Sequence, residues 1–249
     1  MRKGWSTQDR RIKGWNEPSI VETREARWPA FVRSLEGTGP LGVTYEALSP
    51  TRKDWVAHNT LMCYAYVLTL AARKKDSLTI LDWGGGAGHY YLISTALLPD
   101  VDIQYHCYDL PLLCQLGRKL LPEVSFHEKA DDAFRRPYDL VLASSSLQYF
   151  ENWSEIVQKL AGVTRAFLYI TALPIVHRVS SFVVVQRPYH YGYNTEYLGL
   201  FLNRQELLKC VEEAGMELMR EFLIDRGPVV KGAPERGEYA GFLFRKAHT

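Results

Sequence analysis

The chain has 249 residues, room for one large domain or one domain with an extension. Apolar residues make up 47% and charged residues 23%, an ordinary balance for a soluble globular protein, and a net charge of +2 gives no general electrostatic case for binding nucleic acid or a membrane. Cys63, Cys107, Cys114 and Cys210 form no C-x-x-C pair and no cluster with histidine, the N-terminus has no apolar signal core, and the apolar runs 61–72 and 166–176 are too short to span a bilayer. A cytoplasmic protein with reduced thiols is expected.

Residues 1–13 are basic and polar, with Arg2, Lys3, Arg10, Arg11 and Lys13 against Asp9, and read as a loose arm. Residues 19–35 can form a helix with Val21, Trp28, Phe31, Val32 and Leu35 on its core side, broken by the Gly-Thr-Gly-Pro run at 37–40. This extension, residues 1–50, is either a solvated arm with a packing helix or a lid that brings Trp15, Trp28 or Tyr45 to a ligand. A second helix is expected over 53–73, where Trp55, Leu61, Tyr64, Val67, Leu68 and Ala71 lie close to helical spacing.

The run Ile80-Leu81-Asp82-Trp83-Gly84-Gly85-Gly86-Ala87-Gly88 follows. An apolar strand ends on Asp82, and a glycine turn opens into a helix over 89–98. Such a unit places unpaired backbone N–H groups and a helix N-terminus at the strand's carboxyl end, where nucleotide-like ligands bind in open α/β sheets. The dinucleotide pattern G-x-G-x-x-G fails from Gly84, because its sixth position is His89; the pattern present is D-x-G-x-G-x-G. No G-x-x-x-x-G-K-[ST] run exists.

Residues 101–108 alternate apolar and polar and end in Asp109, 21 positions after Gly88, where an acid can accept both hydroxyls of a ribose. A helix over 112–121 and a short strand over 124–127 lead to Asp131-Asp132. The segment Asp139-Leu-Val-Leu-Ala-Ser144-Ser-Ser-Leu-Gln-Tyr149 is a buried strand opening into a small polar turn. Together, the D-x-G-x-G-x-G turn, Asp109 and this fourth strand resemble class I S-adenosylmethionine-dependent methyltransferases over about residues 50–246.

The resemblance implies an α/β, Rossmann-like fold, with a seven-stranded, mostly parallel sheet whose last strand is antiparallel. The methyltransferase domain is expected over 51–249, and a substrate loop is inserted at about 177–202. S-adenosylmethionine is the implied cofactor, held by Asp82, Gly84, Gly85, Gly86, Gly88, Asp109, Leu110, Asp131 and Ser144. No metal is expected. The loop carries Arg187, Tyr189, His190, Tyr191, Tyr193 and Tyr197, and Tyr149, Gln186 and Tyr191 are candidate acceptor contacts. His177 and His190 are candidate bases for a hydroxyl acceptor, with a hydrogen-bonded or surface histidine as the other reading of each. Asn203-Arg-Gln-Glu206 reads as a capping box opening a helix ended by Gly215, and residues 217–224 and 239–244 as the closing strands.

The stretch from His177 to the Asn203 helix also resembles methyltransferases encoded beside polysaccharide-biosynthesis genes. That resemblance implies a glycan intermediate as acceptor, with a small-molecule hydroxyl next. Two other functions share the sheet: a nicotinamide-dependent oxidoreductase, disfavoured by the failed glycine pattern, and a non-catalytic binding protein of the same fold. A nucleic-acid acceptor is disfavoured by the Ser-Ser-Ser-Leu exit of the fourth strand and the balanced charge.

Overall fold

The computed structural model describes residues 9–36, 55–227 and 229–247; Tyr45, Arg2, Lys3 and the 37–40 break lie outside them. Helix α1 (Pro18–Leu35) starts on a proline at its first turn and buries Ile20, Arg24, Trp28 and Phe31, a single face at helical spacing. Helix α2 (Trp55–Ala72) leads into β1 (Ser77–Trp83), α3 (His89–Leu97), β2 (Asp102–Tyr108), α4 (Pro111–Leu120), β3 (Ser125–His127), α5 (Ala130–Ala133) and β4 (Tyr138–Ser144). Then come α6 (Trp153–Val163), β5 (Thr164–Val176), β6 (Phe182–Gln186), β7 (Tyr197–Asn203), α7 (Arg204–Glu213), β8 (Met216–Asp225) and β9 (Glu238–Lys246).

The sheet runs β3-β2-β1-β4-β5, all parallel, and β9 then joins β5 antiparallel with β8 outside it. β1 and β4 are apolar along nearly their whole length because helices cover both faces. On one face Tyr64, Val67 and Leu68 of α2, Tyr90 and Ile93 of α3 and Leu116 of α4 pack on Leu78, Ile80, Leu140 and Leu142. On the other, Val157 and Leu160 of α6 and Leu207 and Val211 of α7 pack on Leu81, Val141, Ala143 and Ile170. The strand order reverses between β1 and β4, so a crevice opens at their carboxyl ends.

Seven strands match the expected set, but the sheet has nine. The 177–202 segment is a β-hairpin rather than a loop: Val183, Val184 and Val185 pair with Leu200, Gly199 and Leu198. It hangs on β5, which runs past its last partner on β4 (Ser144↔Thr171), kinks at a bulge where Ala172 has φ 50°, and pairs with β7 through Ile175 and Val176. The α7 cap is half of the expected box. Asn203 Oδ1 accepts from the Gln205 and Glu206 N–H groups at 2.9 and 3.2 Å, but Glu206 binds Ser181 Oγ instead of reaching back, and Asn203 N–H donates to that same hydroxyl.

At the β2–β3 edge, Arg136 Nη1 lies 3.2 Å from His106 Nε2, and His106 Nδ1 lies 3.1 Å from His127 Nε2. A guanidinium only donates, so His106 carries its proton on Nδ1 and donates it to His127. Burial, followed by the nearby His127 and Arg136 charges, pulls His106 down to about 4. The unfolded chain therefore takes up a proton first, and the stability of this edge is present above the ordinary histidine range and lost as pH falls toward 4. In melts between pH 7 and 4.5, His106→Phe should lose Tm less steeply than the parent; parallel slopes would show that the pair does not set acid stability.

Candidate functional site

The turn between β1 and α3 holds Gly84, Gly86 and Gly88 at φ +74°, +63° and +85°, left-handed conformations that favour glycine. A side chain at Gly84 would put its Cβ 2.3 Å from Ser146 Cβ, so the turn lies directly against the exit of β4. Gly84 N–H and Gly85 N–H donate to Tyr108 O at 2.8 and 3.3 Å, which ties the turn to β2. At the end of β2, Asp109 Oδ2 accepts from Gly86 N–H and Oδ1 from Leu110 N–H, each at 2.6 Å. Burial pushes Asp109 up, opposed by these N–H groups and by the positive charge of Arg24.

Asp82 lies beneath the turn, fully buried, with Oδ2 accepting from Tyr105 Oη–H at 2.7 Å and Oδ1 without a partner. Its Oδ2 is 2.2 Å from where a Cβ on Gly85 would sit, so that glycine is the space the carboxyl occupies. Burial first, and then the charge of Asp109, raise Asp82 to about 7 against the Tyr105 hydrogen bond.

At the β4 exit, Ser144 Oγ meets Tyr90 Oη at 2.9 Å and Ser146 Oγ–H donates to Trp83 O at 2.6 Å. Ser145 is left-handed, at φ 48°, and its N–H donates to Thr171 O. Gln148 Nε2 donates to Ser145 Oγ at 3.0 Å, while the buried Gln148 Oε1 has no partner. A strained non-glycine residue beside an unsatisfied buried amide marks a place shaped for something other than stability.

The N-terminal extension roofs this edge. Phe31 of α1 meets His89 at 6.2 Å, Ile20 packs on Leu113, and Glu25 pairs with Lys119 of α4. Asn16 Oδ1 accepts from Leu112 N–H at 3.3 Å, filling the cap position of α4. Arg24, 5% exposed, is the one buried Arg or Lys among the described residues; its guanidinium lies 5.5 Å over the Trp15 ring and within reach of Tyr193 Oη. Trp28 packs in the core, whereas Trp15 meets Tyr149, Tyr193 and Tyr197.

Of the expected acceptor contacts, Tyr149 and Gln186 come together, Tyr149 Oη–H donating to Gln186 Oε1 at 3.0 Å. Tyr191 lies on the α1 side, its carbonyl accepting from Arg27 at 2.9 Å. Asp131 is exposed on the first turn of α5, and Leu110 stands at the N-cap position of α4 with no capping side chain of its own. His177 follows the far end of β5, where its Nε2 pairs with Glu238 at 2.8 Å and its N–H donates to Glu235. His190 is exposed, with its ring against Tyr191 at 3.8 Å. Arg24 was legible only as a polar residue on the apolar face of α1, and Ser145 carried no signal. Among the described residues no group of three or more His, Cys, Asp or Glu is placed to hold a metal, no helix is long and apolar enough to cross a membrane, and Cys63, Cys107, Cys114 and Cys210 are free.

No protein-family profile and no curated protein sequence matches this chain. Solved structures do. A magnesium protoporphyrin IX methyltransferase (ChlM) from Synechocystis PCC 6803 with bound SAM is 14% identical at a TM-score of 0.53, over 92% of this chain and 93% of that one. The N-terminal domain of EvdMO1 with SAH bound is 17% identical, TM-score 0.53, over 90% and 97%. An O-methyltransferase family protein from Burkholderia thailandensis is 19% identical, TM-score 0.51, over 95% and 75%. This chain has the Rossmann-like fold of class I S-adenosylmethionine-dependent methyltransferases. The similarity to methyltransferases from polysaccharide-biosynthesis clusters has no counterpart among these structures.

Proposed function

We propose that the protein is an S-adenosylmethionine-dependent methyltransferase acting at oxygen on a small molecule or glycan intermediate. The observation that carries this reading is the Gly84–Gly88 turn with Asp109 set into it. The residues suit the cofactor: each Asp109 oxygen accepts one N–H and keeps capacity for a ribose hydroxyl, and Gly84 leaves room that a Cβ would fill. Leu110 and Asp131 would hold the adenine end of the cofactor, and Ser144 its methyl end.

When bound, the cofactor supplies a methyl group on a sulfonium whose positive charge disappears on transfer. The chain's part is positioning: the turn and Asp109 fix one reactant, the Ser144–Tyr149 exit and Gln186 face the other, and α1 excludes water. Gln148 Oε1 is placed to orient an acceptor hydroxyl by accepting its hydrogen bond. The engagement of His177 with Glu238 and the exposure of His190 favour a second reading, an amine acceptor, which needs a lone pair and no base. The balanced charge argues against a nucleic-acid acceptor, and the free thiols suit a cytoplasmic protein.

Calorimetry decides between cofactors. S-adenosylmethionine and its demethylated product should bind at about micromolar Kd and NADH should not. Binding of NADH alone would replace this reading with the oxidoreductase. Cofactor binding without methyl transfer to any hydroxyl or amine acceptor would favour a non-catalytic protein.

A further inference from the structure

Residues 9–17 form a strap laid along residues 193–197. Ile12 makes a parallel bridge to Glu196, Glu196 N–H donates to Arg11 O at 2.8 Å, and Gly14 N–H donates to Glu196 O at 3.2 Å. Thr195 Oγ–H donates to Gly14 O at 3.0 Å. This brings the Trp15 indole 4.3 Å from Tyr197 in a stacked arrangement, 5.0 Å from Tyr149 and 6.1 Å from Tyr193, the latter two edge-on. Tyr149 is joined to Gln186, and Gly199 opposite them leaves the floor clear, since a Cβ there would stand 3.2 Å from Gln186 Nε2 and 3.5 Å from the Tyr149 ring. The indole fills a box whose wall begins in the turn leaving β4.

We propose that this box is the acceptor subsite, that its ligand is a hydroxyl-bearing ring, and that Trp15 occupies it until the strap lifts. The inference rests on the methyltransferase reading for the box's place beside the methyl. Three features of the box select the ligand. Tyr149 and Tyr197 offer ring faces, on which flat rings and the C–H faces of sugars stack. Gln186 and the tyrosine hydroxyls offer neutral hydrogen-bonding groups. The Glu196 carboxylate is turned to the other side of its strand from Tyr197, where it accepts from Arg187 at 3.2 Å and Tyr189 at 2.6 Å.

Two features make Trp15 an exchangeable occupant. Its buried Nε1–H has no hydrogen-bond acceptor, so the indole gives up no hydrogen bond when it leaves the box and gains one to water. Besides its backbone bonds and the rings around Trp15, the strap is held by the Thr195 and Asn16 hydrogen bonds and a 3.7 Å contact between the exposed Arg11 and Glu196, polar ties in contrast to the apolar face that anchors α1. Such a segment opens locally while the sheet stays folded.

Hydrogen exchange on the full-length protein tests this, with methyl β-D-glucopyranoside and catechol as probes. Either probe at saturation should speed exchange at residues 12–16 and leave residues 78–98 unchanged, and the stronger one identifies a saccharide or an aryl source. Because the closed strap taxes affinity by the fraction of time the box is open, Trp15→Ala should bind that probe about tenfold tighter. Glu196→Gln, which loosens the strap without touching the box, should tighten binding in the same direction and keeps the test valid if Trp15→Ala misfolds. The proposal is overturned if neither probe mobilises the strap, if a probe protects it, or if both variants bind no tighter than the parent. Calorimetry with S-adenosylhomocysteine on the same samples separates the two readings: intact cofactor binding with silent probes ends the subsite alone, whereas lost cofactor binding ends the methyltransferase reading.

Discussion

Asp109→Ala should fold normally and lose cofactor binding by about 100-fold or more, because hydrogen bonds to a charged group contribute about 1.5–3 kcal/mol each and two ribose hydroxyls would lose their acceptor. The same substitution frees the Gly86 and Leu110 N–H groups, which now converge on that carboxylate at 2.6 Å, and leaves the Gly84 and Gly85 bonds to Tyr108 O to tie the turn to β2. Gly84→Val attacks the turn from the other side. It forces a β-branched residue to φ +74°, at roughly 1–2 kcal/mol for a left-handed backbone, and drives its Cβ into Ser146, 2.3 Å away. The turn must then move off the β4 exit, and affinity should fall at least as far as in Asp109→Ala. Calorimetry with S-adenosylhomocysteine, with Tm measured alongside, reads both variants. Wild-type affinity in each would remove the turn from the cofactor site.

What could be read from the sequence was local. The βαβ unit, the glycine turn, Asp109 and the Asn203 cap depend on residues within a few positions of one another or on a fixed strand-to-strand register, and each stands where the pattern puts it. The hairpin was hidden because its turn is long: residues 187–196 separate β6 from β7, without the short Asn-Gly or Gly-x connection that marks a hairpin. His177 looked available because its partners, Glu235 and Glu238, lie far along the chain and reach it only once β9 pairs with β5. The roof was ambiguous for the same reason. Whether a basic arm is solvated or docked depends on Glu196 and Thr195, which no local pattern connects to Gly14. Charge gave a similarly partial signal: Arg24 falls in step with Ile20, Trp28 and Phe31, so the helix that buries them buries a guanidinium as well.

Asp82 should make the stability of the ligand-free protein fall as pH rises through neutrality, which is unusual for a carboxyl group. Its folded value of about 7 stands above the ordinary 3.8, because burial and the neighbouring Asp109 disfavour the ionised form more than Tyr105 helps it. Below 3.8 both folded and unfolded chains hold the proton; between 3.8 and about 7 only the folded chain does. The stability contributed by that proton is complete in acid and gone above about 7, about 4 kcal/mol across the whole window and about 1 kcal/mol between pH 8 and 6.5. Asp109, also raised by burial, acts in the same direction, while His89, His106 and His127, all held below the ordinary 6.5, oppose both as pH falls toward that value. The Asp82 contribution is therefore read as the difference between the parent and a variant that cannot ionise there, in urea unfolding at pH 6.5 and pH 8. Asp82→Asn keeps an acceptor for Tyr105 and cannot ionise, so relative to this variant the parent should lose about 1 kcal/mol of stability from pH 6.5 to pH 8. Parallel pH curves would show that Asp82 is ionised in the folded state throughout. The same carboxyl links pH to the proposed ligand. A cationic cofactor above the turn favours the ionised form beneath it, so binding near pH 7 should release a proton, measurable by calorimetry in buffers of different ionisation enthalpy. Affinity should rise from pH 6 to pH 8 in the parent and stay level in Asp82→Asn.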